Sequence, residues 1–174
     1  TYLVHDNQVY ALTKGQASPT SDQGFITKTT PHGAAPPINP IALAIIAGAS
    51  LVGRGFAGDI EHLTNLIKAG ITHKGFALID ILQPCVSFNH VNTFSWYRER
   101  VYKVDEEAGY DPTNRTLALT KAQEWGERIP IGIIYQTDRP TYEEQIPALN
   151  KGPLVRQKIE PGRGQVEKLM DELL

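Results

Sequence analysis

The chain has 174 residues, 41% apolar and 21% charged, a composition that excludes a disordered protein and fits one soluble domain of ordinary size with room for an appendage. Its formal net charge of −2 gives no footing to nucleic acid or an anionic membrane surface as partner. The longest apolar run, residues 41–49, is too short to span a bilayer, no signal peptide is visible, and the single cysteine, Cys85, rules out an internal disulfide; a cytoplasmic location is the expectation.

Tyr2, Leu3 and Val4 read as a β-strand, with Asp6-Asn7 as its exit turn. A chain that opens inside a strand, without Met, is expected to be a truncated or processed fragment. Residues 13–40 are polar and rich in Gly and Pro, and a connection of that length points to a functional loop. Asn39-Pro40 supplies an N-cap and a first-turn proline for a helix over residues 41–50. That helix is apolar almost all round, which predicts deep burial.

A short strand over residues 51–55 follows. Asp59 then caps a helix that places Ile60, Leu63, Leu66 and Ile67 on one face, with Gly70 as its stop. Residues 76–82 form a continuous apolar strand with one acid, Asp80, the pattern of a parallel strand covered on both faces. Strand, helix, strand, helix, strand is the doubly wound α/β order.

After Phe88 the character changes. Asn89 to Asn92 is polar, and residues 96–104 mix aromatic and charged side chains. Thr113 is expected to cap a helix running through Trp125 and closed by Gly126. Residues 129–136 read as a strand, with Pro130 marking an edge or a strand start. Thr141-Tyr142-Glu143-Glu144 is a capping box. Val166, Leu169, Met170 and Leu173 make an amphipathic stripe on a terminal helix. No internal repeat or low-complexity segment is present.

Three places could carry chemistry. Asn7 and Val9 sit where a strand gives way to a loop, and at the strand ends of an open α/β sheet ligands bind. An Asn side-chain carbonyl and a backbone carbonyl two residues on can face one cation, and such oxygen donors suit Mg²⁺; an Asx-turn that merely ends the strand is the commoner reading. Cys85 follows Pro84 at a strand end and leads into Asn89, His90 and Asn92. Most lone cysteines are apolar filler, and one thiolate holds neither a zinc nor a cluster unaided. Lys14, beside Gly15, is either a solvated loop lysine or a cation aimed at a carboxylate or phosphate. The five histidines show no metal-ligand spacing. Gly53-Arg54-Gly55-Phe56-Ala57-Gly58 has the wrong spacing for a dinucleotide fingerprint, and no Walker A or G-x-S-x-G pattern occurs.

Together these segments resemble the β subunit of the two-subunit 2-oxoacid:ferredoxin oxidoreductases. The matching residues are Val4-His5-Asp6-Asn7-Gln8-Val9-Tyr10-Ala11-Leu12-Thr13-Lys14-Gly15-Gln16-Ala17-Ser18-Pro19-Thr20, Phe56-Ala57-Gly58-Asp59, His73-Lys74-Gly75-Phe76-Ala77, Leu82-Gln83-Pro84-Cys85, Trp96-Tyr97-Arg98-Glu99-Arg100-Val101-Tyr102 and Ile129-Pro130-Ile131-Gly132. The resemblance implies a partial doubly wound, mostly parallel sheet of the thiamine-diphosphate-binding fold over residues 1–95. Residues 96–174 would be the C-terminal region of the β subunit, an α+β extension.

The resemblance further implies that the Asn7 side chain and the Val9 carbonyl ligate the Mg²⁺ of thiamine diphosphate. Leu12 would pack against that cofactor, and Lys14 would meet the substrate carboxylate or coenzyme A. Cys85 would be one thiolate of a [4Fe–4S] cluster. No residue of the chain is assigned a catalytic proton or nucleophile. The implied reaction is oxidative decarboxylation of a 2-oxoacid, with electrons passing through the cluster to ferredoxin and the acyl group to coenzyme A. The implied partners are an α subunit, the missing N-terminal part of the β subunit, ferredoxin, coenzyme A and the 2-oxoacid. Leu12 with Lys14 resembles members that accept 2-oxoglutarate or several 2-oxoacids. The family's Gly-Asp-Gly segment and three further cluster cysteines are absent, so the chain by itself is expected to bind neither cofactor fully and to be inactive. A thiamine-diphosphate decarboxylase subunit without a cluster, or a non-catalytic assembly fragment, is the alternative.

Overall fold

The computed structural model describes residues 1–158 and 162–173, which divide into two compact units, residues 1–139 and residues 140–174. Its framework is α/β with a mostly parallel sheet. Five strands lie in the order β1 (Tyr2–Asp6), β5 (Ala77–Leu82), β4 (Leu51–Phe56), β7 (Ile129–Gln136), β6 (Val101–Lys103). β1 runs parallel to β5, β5 to β4, and β6 to β7, while β7 is antiparallel to β4. Asp6 lies opposite Leu82, and Leu82 opposite Phe56, so three parallel strands finish level with one another. A two-stranded ribbon, β2 (Val9–Tyr10) with β3 (Gln16–Ala17), stands on that edge just after β1.

The sheet is covered on both faces, which is why β4 is buried throughout and β5 nearly so. On one face α1 (Pro40–Ala47) and α4 (Arg115–Ala122) pack Ile41, Ile45, Ala118 and Ala122 on Val52 and Ile134. On the other, α2 (Ile60–Thr72) sets Leu63, Leu66 and Ile67 on Ile79 and Ile81. A third cluster, at the end of the strands, gathers Phe56, Leu82, Ile129 and Ile131 around Tyr97 of α3 (Phe94–Arg98). Phe94, Trp96 and Trp125 pack against it, so the aromatic run after residue 93 is spent on the chain's own core.

Several sequence expectations shift by local packing. α1 begins as expected, with the Asn39 side chain accepting from the Ala42 amide at 3.0 Å, but it ends at Gly48 in a left-handed cap. It is not buried all round: Leu43 and Ile46 are exposed. In α2 the expected stop, Gly70, lies inside the helix, where any side chain would run into Ile79; the helix continues to Thr72. Ile60, expected on the buried face, points outward. The α4 cap is Asn114 rather than Thr113, because the Thr113 hydroxyl is taken by Asp111, and the helix closes at Ala122. Pro130 marks the start of β7 and not an edge, since β6 is the outer strand there.

In residues 140–174 the expected capping box forms reciprocally. The Thr141 amide donates to Glu144 at 2.8 Å and the Glu144 amide to Thr141 Oγ1 at 3.3 Å, over a 3₁₀ turn. The terminal helix α5 (Arg163–Asp171) carries Val166, Leu169 and Met170 on an exposed stripe, with Leu173 in the turn beyond it. No helix among the described residues is long and apolar enough to cross a membrane.

Asn39 does two jobs: besides capping α1, its Nδ2 donates to the Ala122 carbonyl at the end of α4 at 2.5 Å. Asn39→Ala should therefore lower unfolding free energy by about 1–2 kcal/mol, the upper part of the range for losing a cap, measurable as a shift of the urea midpoint without a change in slope.

Candidate functional site

β1 ends at Asp6, and the chain reverses at once. Asn7 Oδ1 accepts from the Val9 amide at 3.1 Å, an Asx-turn. Gln8, between them, has φ 59°, a left-handed backbone uncommon outside glycine. The reversal brings Val9 into the β2–β3 ribbon opposite Ala17. At the ribbon's tip the Lys14 amide donates to Ala11 at 3.0 Å and the Gly15 amide to Tyr10 at 3.1 Å. Lys14 also has positive φ, 66°. This closed turn presents three exposed side chains: Thr13, Lys14, and Leu12 with 98% of its surface in solvent.

β5 delivers Cys85 to the same corner. The Gln83 amide donates to the Asp6 carbonyl at 3.0 Å, and the His5 ring meets Gln83 Oε1 at 2.6 Å. Cys85 is half-buried with a free thiol, and its carbonyl accepts from the Asn89 amide. Phe88, at the end of this loop, presses on Gly15: a Cβ at residue 15 would stand only 3.0 Å from the Phe88 ring. The Asn7, Lys14 and Cys85 segments, scattered in sequence, thus form one corner.

A polar network that sequence reasoning missed fastens it. Asn92 Nδ2 and the Trp125 indole donate to the two oxygens of Asp22, each at 2.8 Å, tying the Cys85 loop, the long loop and the end of α4 together. Below them Arg54 Nε donates to Asp80 Oδ2 at 3.1 Å, with both residues at most 2% exposed. The Arg54 guanidinium also lies 5.5 Å from the Trp125 ring centre. A lone Arg in β4 and a lone Asp in β5, each inside a buried apolar strand, was the available signal: neither charge can be buried unless paired. Burial pushes the Asp80 carboxyl upward, with Arg54 opposing. Burial first, and then the nearby Asp80, pushes Asp6 up to about 6, against hydrogen bonds from Thr20 and Gln8.

The donor sets can be judged by their chemistry. Asn7 and Val9 offer oxygens of the kind Mg²⁺ takes, and the Oδ1 atom that accepts from Val9 retains a second lone pair. Cys85 offers one thiol. Among the described residues no group of three His, Cys, Asp or Glu side chains could close a metal site unaided. Both sets fit as parts of a larger coordination sphere.

Two family models divide the chain between them: "Thiamine pyrophosphate enzyme, C-terminal TPP binding domain" matches residues 1–81, and the C-terminal model of the pyruvate ferredoxin oxidoreductase beta subunit matches residues 85–151. The chain is 46% identical to the 2-oxoacid:ferredoxin oxidoreductase subunit beta of a Sulfolobus species, over 99% of this chain and 61% of that one. Over nearly its whole length the chain resembles the 2-oxoacid:ferredoxin oxidoreductase β subunits. It is 48% identical to the corresponding subunit of Saccharolobus solfataricus over 84% of this chain and 52% of that one. A solved 2-oxoglutarate:ferredoxin oxidoreductase from Magnetococcus marinus superposes with TM-score 0.84 at 31% identity, covering 97% of this chain and 57% of that one. The chain thus spans between half and about three-fifths of the length of these relatives. The model matched over residues 1–81 is named for thiamine pyrophosphate binding.

The buried pair gives a stability test. Arg54→Met alone leaves an unpaired carboxylate in the sheet and should cost about 3–5 kcal/mol. Arg54→Met with Asp80→Leu should recover at least half of that in denaturant titration; an equal loss in the double variant would mean the pair is not the source of the cost.

Proposed function

We propose that the chain forms part of an oxidoreductase that oxidatively decarboxylates a 2-oxoacid with thiamine diphosphate, passes the electrons through a [4Fe–4S] cluster to ferredoxin, and yields an acyl-coenzyme A. The observation that carries this reading is the convergence of Asn7, Lys14 and Cys85 on one corner of the sheet, where the Phe88 ring of the Cys85 loop presses on Gly15 beside Lys14. Bound there, thiamine diphosphate would supply the electron sink for decarboxylation and the cluster a one-electron carrier.

The chain's own residues bind and orient. The Asn7 side chain and the Val9 carbonyl hold Mg²⁺, and with it the diphosphate. Leu12, an apolar side chain on a rigid turn, covers the cofactor; that accounts for the exposure of a leucine otherwise surrounded by solvent. Lys14 meets the carboxylate of the 2-oxoacid or coenzyme A as a point charge. Its left-handed backbone is the kind of outlier that concentrates at ligand sites. Cys85 ligates the cluster, its other ligands coming from outside these residues, as does the rest of the Mg²⁺ shell. Residues 1–95 thus carry the cofactor contacts, and residues 96–174 serve as the C-terminal region of the β subunit. The partners are an α subunit, the remainder of the β subunit, ferredoxin and coenzyme A. The relatives include both 2-oxoacid and 2-oxoglutarate enzymes, among them the 2-oxoglutarate oxidoreductase subunit KorB of Mycobacterium tuberculosis, 46% identical over 60% of this chain and 29% of that one. We favour 2-oxoglutarate and pyruvate as the substrates to compare.

Two variants of the complete enzyme test the reading. Cys85→Ser should abolish ferredoxin reduction and remove the cluster's visible absorbance; 2-oxoacid decarboxylation unchanged by the substitution, with ferredoxin reduced by neither protein, would favour a cluster-free decarboxylase instead. Asn7→Ala should weaken Mg²⁺-dependent binding of thiamine diphosphate by on the order of 10–100-fold, at least what losing a support to a metal ligand costs, as read by calorimetry.

A further inference from the structure

Asp6 lies directly under the corner, and the cofactor reading gives it no task. It is 6% exposed. Its Oδ1 accepts from the Gln8 amide at 3.2 Å and from Thr20 Oγ1 at 2.6 Å. The neighbouring Ser21 hydroxyl donates to the Gln8 carbonyl, so Gln8 is gripped at both its amide and its carbonyl, on either side of its Cα. Gln8 is the left-handed residue that reverses the chain between Asn7 and Val9, and it is 2% exposed. A long side chain in that conformation persists only where its surroundings over-determine it. Through its own backbone carbonyl Asp6 also accepts from Gln83, two residues before Cys85.

We propose that Asp6 is the positioning residue of the corner: by gripping Gln8 and Thr20, its carboxylate holds the chain reversal that turns the Asn7 side chain and the Val9 carbonyl toward one cation. The inference rests on the Mg²⁺ reading of Asn7 and Val9.

Core stability does not explain the carboxylate. Asp6 is buried near Asp80, and Arg54, the nearest buried cation, bonds Asp80 rather than Asp6. A second buried acid beside an existing ion pair is costly, and apolar residues of similar volume commonly serve a core as well or better. What an apolar residue could not do is accept from Gln8 and Thr20 at once. The surroundings supply polarity in return. Asp6, Gln8, Arg54, Asp80 and Trp125 line a cavity of about 190 Å³. Arg54 Nη1, Asp80 Oδ1 and Gln8 Oε1 lack protein partners among the described residues. Water both donates and accepts, so a hydrated cavity would satisfy such groups and temper the cost of the second acid.

The test compares Asp6→Asn with Asp6→Ala in the complete enzyme. Asn keeps the Oδ1 acceptor and Ala removes it. We expect Asp6→Ala to speed amide hydrogen exchange at Gln8 and Val9 and to weaken Mg²⁺ binding, measured with thiamine diphosphate present, by about tenfold or more, the scale of a lost charge-assisted hydrogen bond. Asp6→Asn should stay within about twofold of the parent in both, since the geometry of its acceptor is unchanged. Where Asp6→Ala does not fold, Thr20→Val removes one grip alone and should shift both readouts in the same direction by less. Unchanged Mg²⁺ affinity in folded Asp6→Ala overturns the proposal, and so does an Asn variant as impaired as the Ala variant. Asn7→Ala separates the two readings: if it leaves Mg²⁺ affinity unchanged, the metal assignment itself is wrong, whatever Asp6 does.

Discussion

Parallel pairing of β1 with β5 and of β5 with β4 brings three strand ends to one edge, and every candidate contact hangs from them. Because side chains alternate across each strand, the register Asp6–Leu82–Phe56 decides which face receives charge and which receives apolar bulk. A slip of one residue would send Asp6, Asp80 and Arg54 to the face packed by α2, where Leu63 and Leu66 close over the glycines of β4. The fold tolerates its buried charges only in this register.

Those charges occupy a seam. On the face covered by α1 and α4, the Arg54–Asp80 pair sits between the cluster built on Val52 and Ile134 and the cluster built on Phe56 and Leu82. A polar layer between two apolar ones is expensive to bury, yet it carries the network of Asp6, Thr20 and Gln8 out to the strand end. The same side of the molecule gives the loop of residues 13–40 something fixed to rest on, through Asp22, Asn92 and Trp125.

Much of this was legible in the residues. The apolar strands, the Asn39 and Asp59 caps and the Thr141 capping box follow from local chemistry that tertiary packing did not overrule. The family resemblance supplied Asn7, Val9, Leu12, Lys14 and Cys85 as candidates. Where the reading slipped, a tertiary contact decided: Gly70 is a glycine because Ile79 lies against it, not because a helix stops there. Leu43 and Ile46 show the limit of hydrophobicity as a guide, since the pattern of α1 gives no clue to which side the sheet will take. The Asp22 network was invisible because its members lie on three loops with no periodicity to connect them.

The contact between Gly15 and Phe88 also constrains how the corner comes together. The two residues lie on loops far apart in the chain, and a Cβ at residue 15 would crowd the ring at 3.0 Å. Neither loop has a partner for this contact until β1 and β5 are already side by side, so the entropy of closing the long intervening segment must be met first. In the assembled state the lysine-bearing turn and the cysteine-bearing loop cannot shift independently: whatever displaces one pushes an aromatic ring against the other.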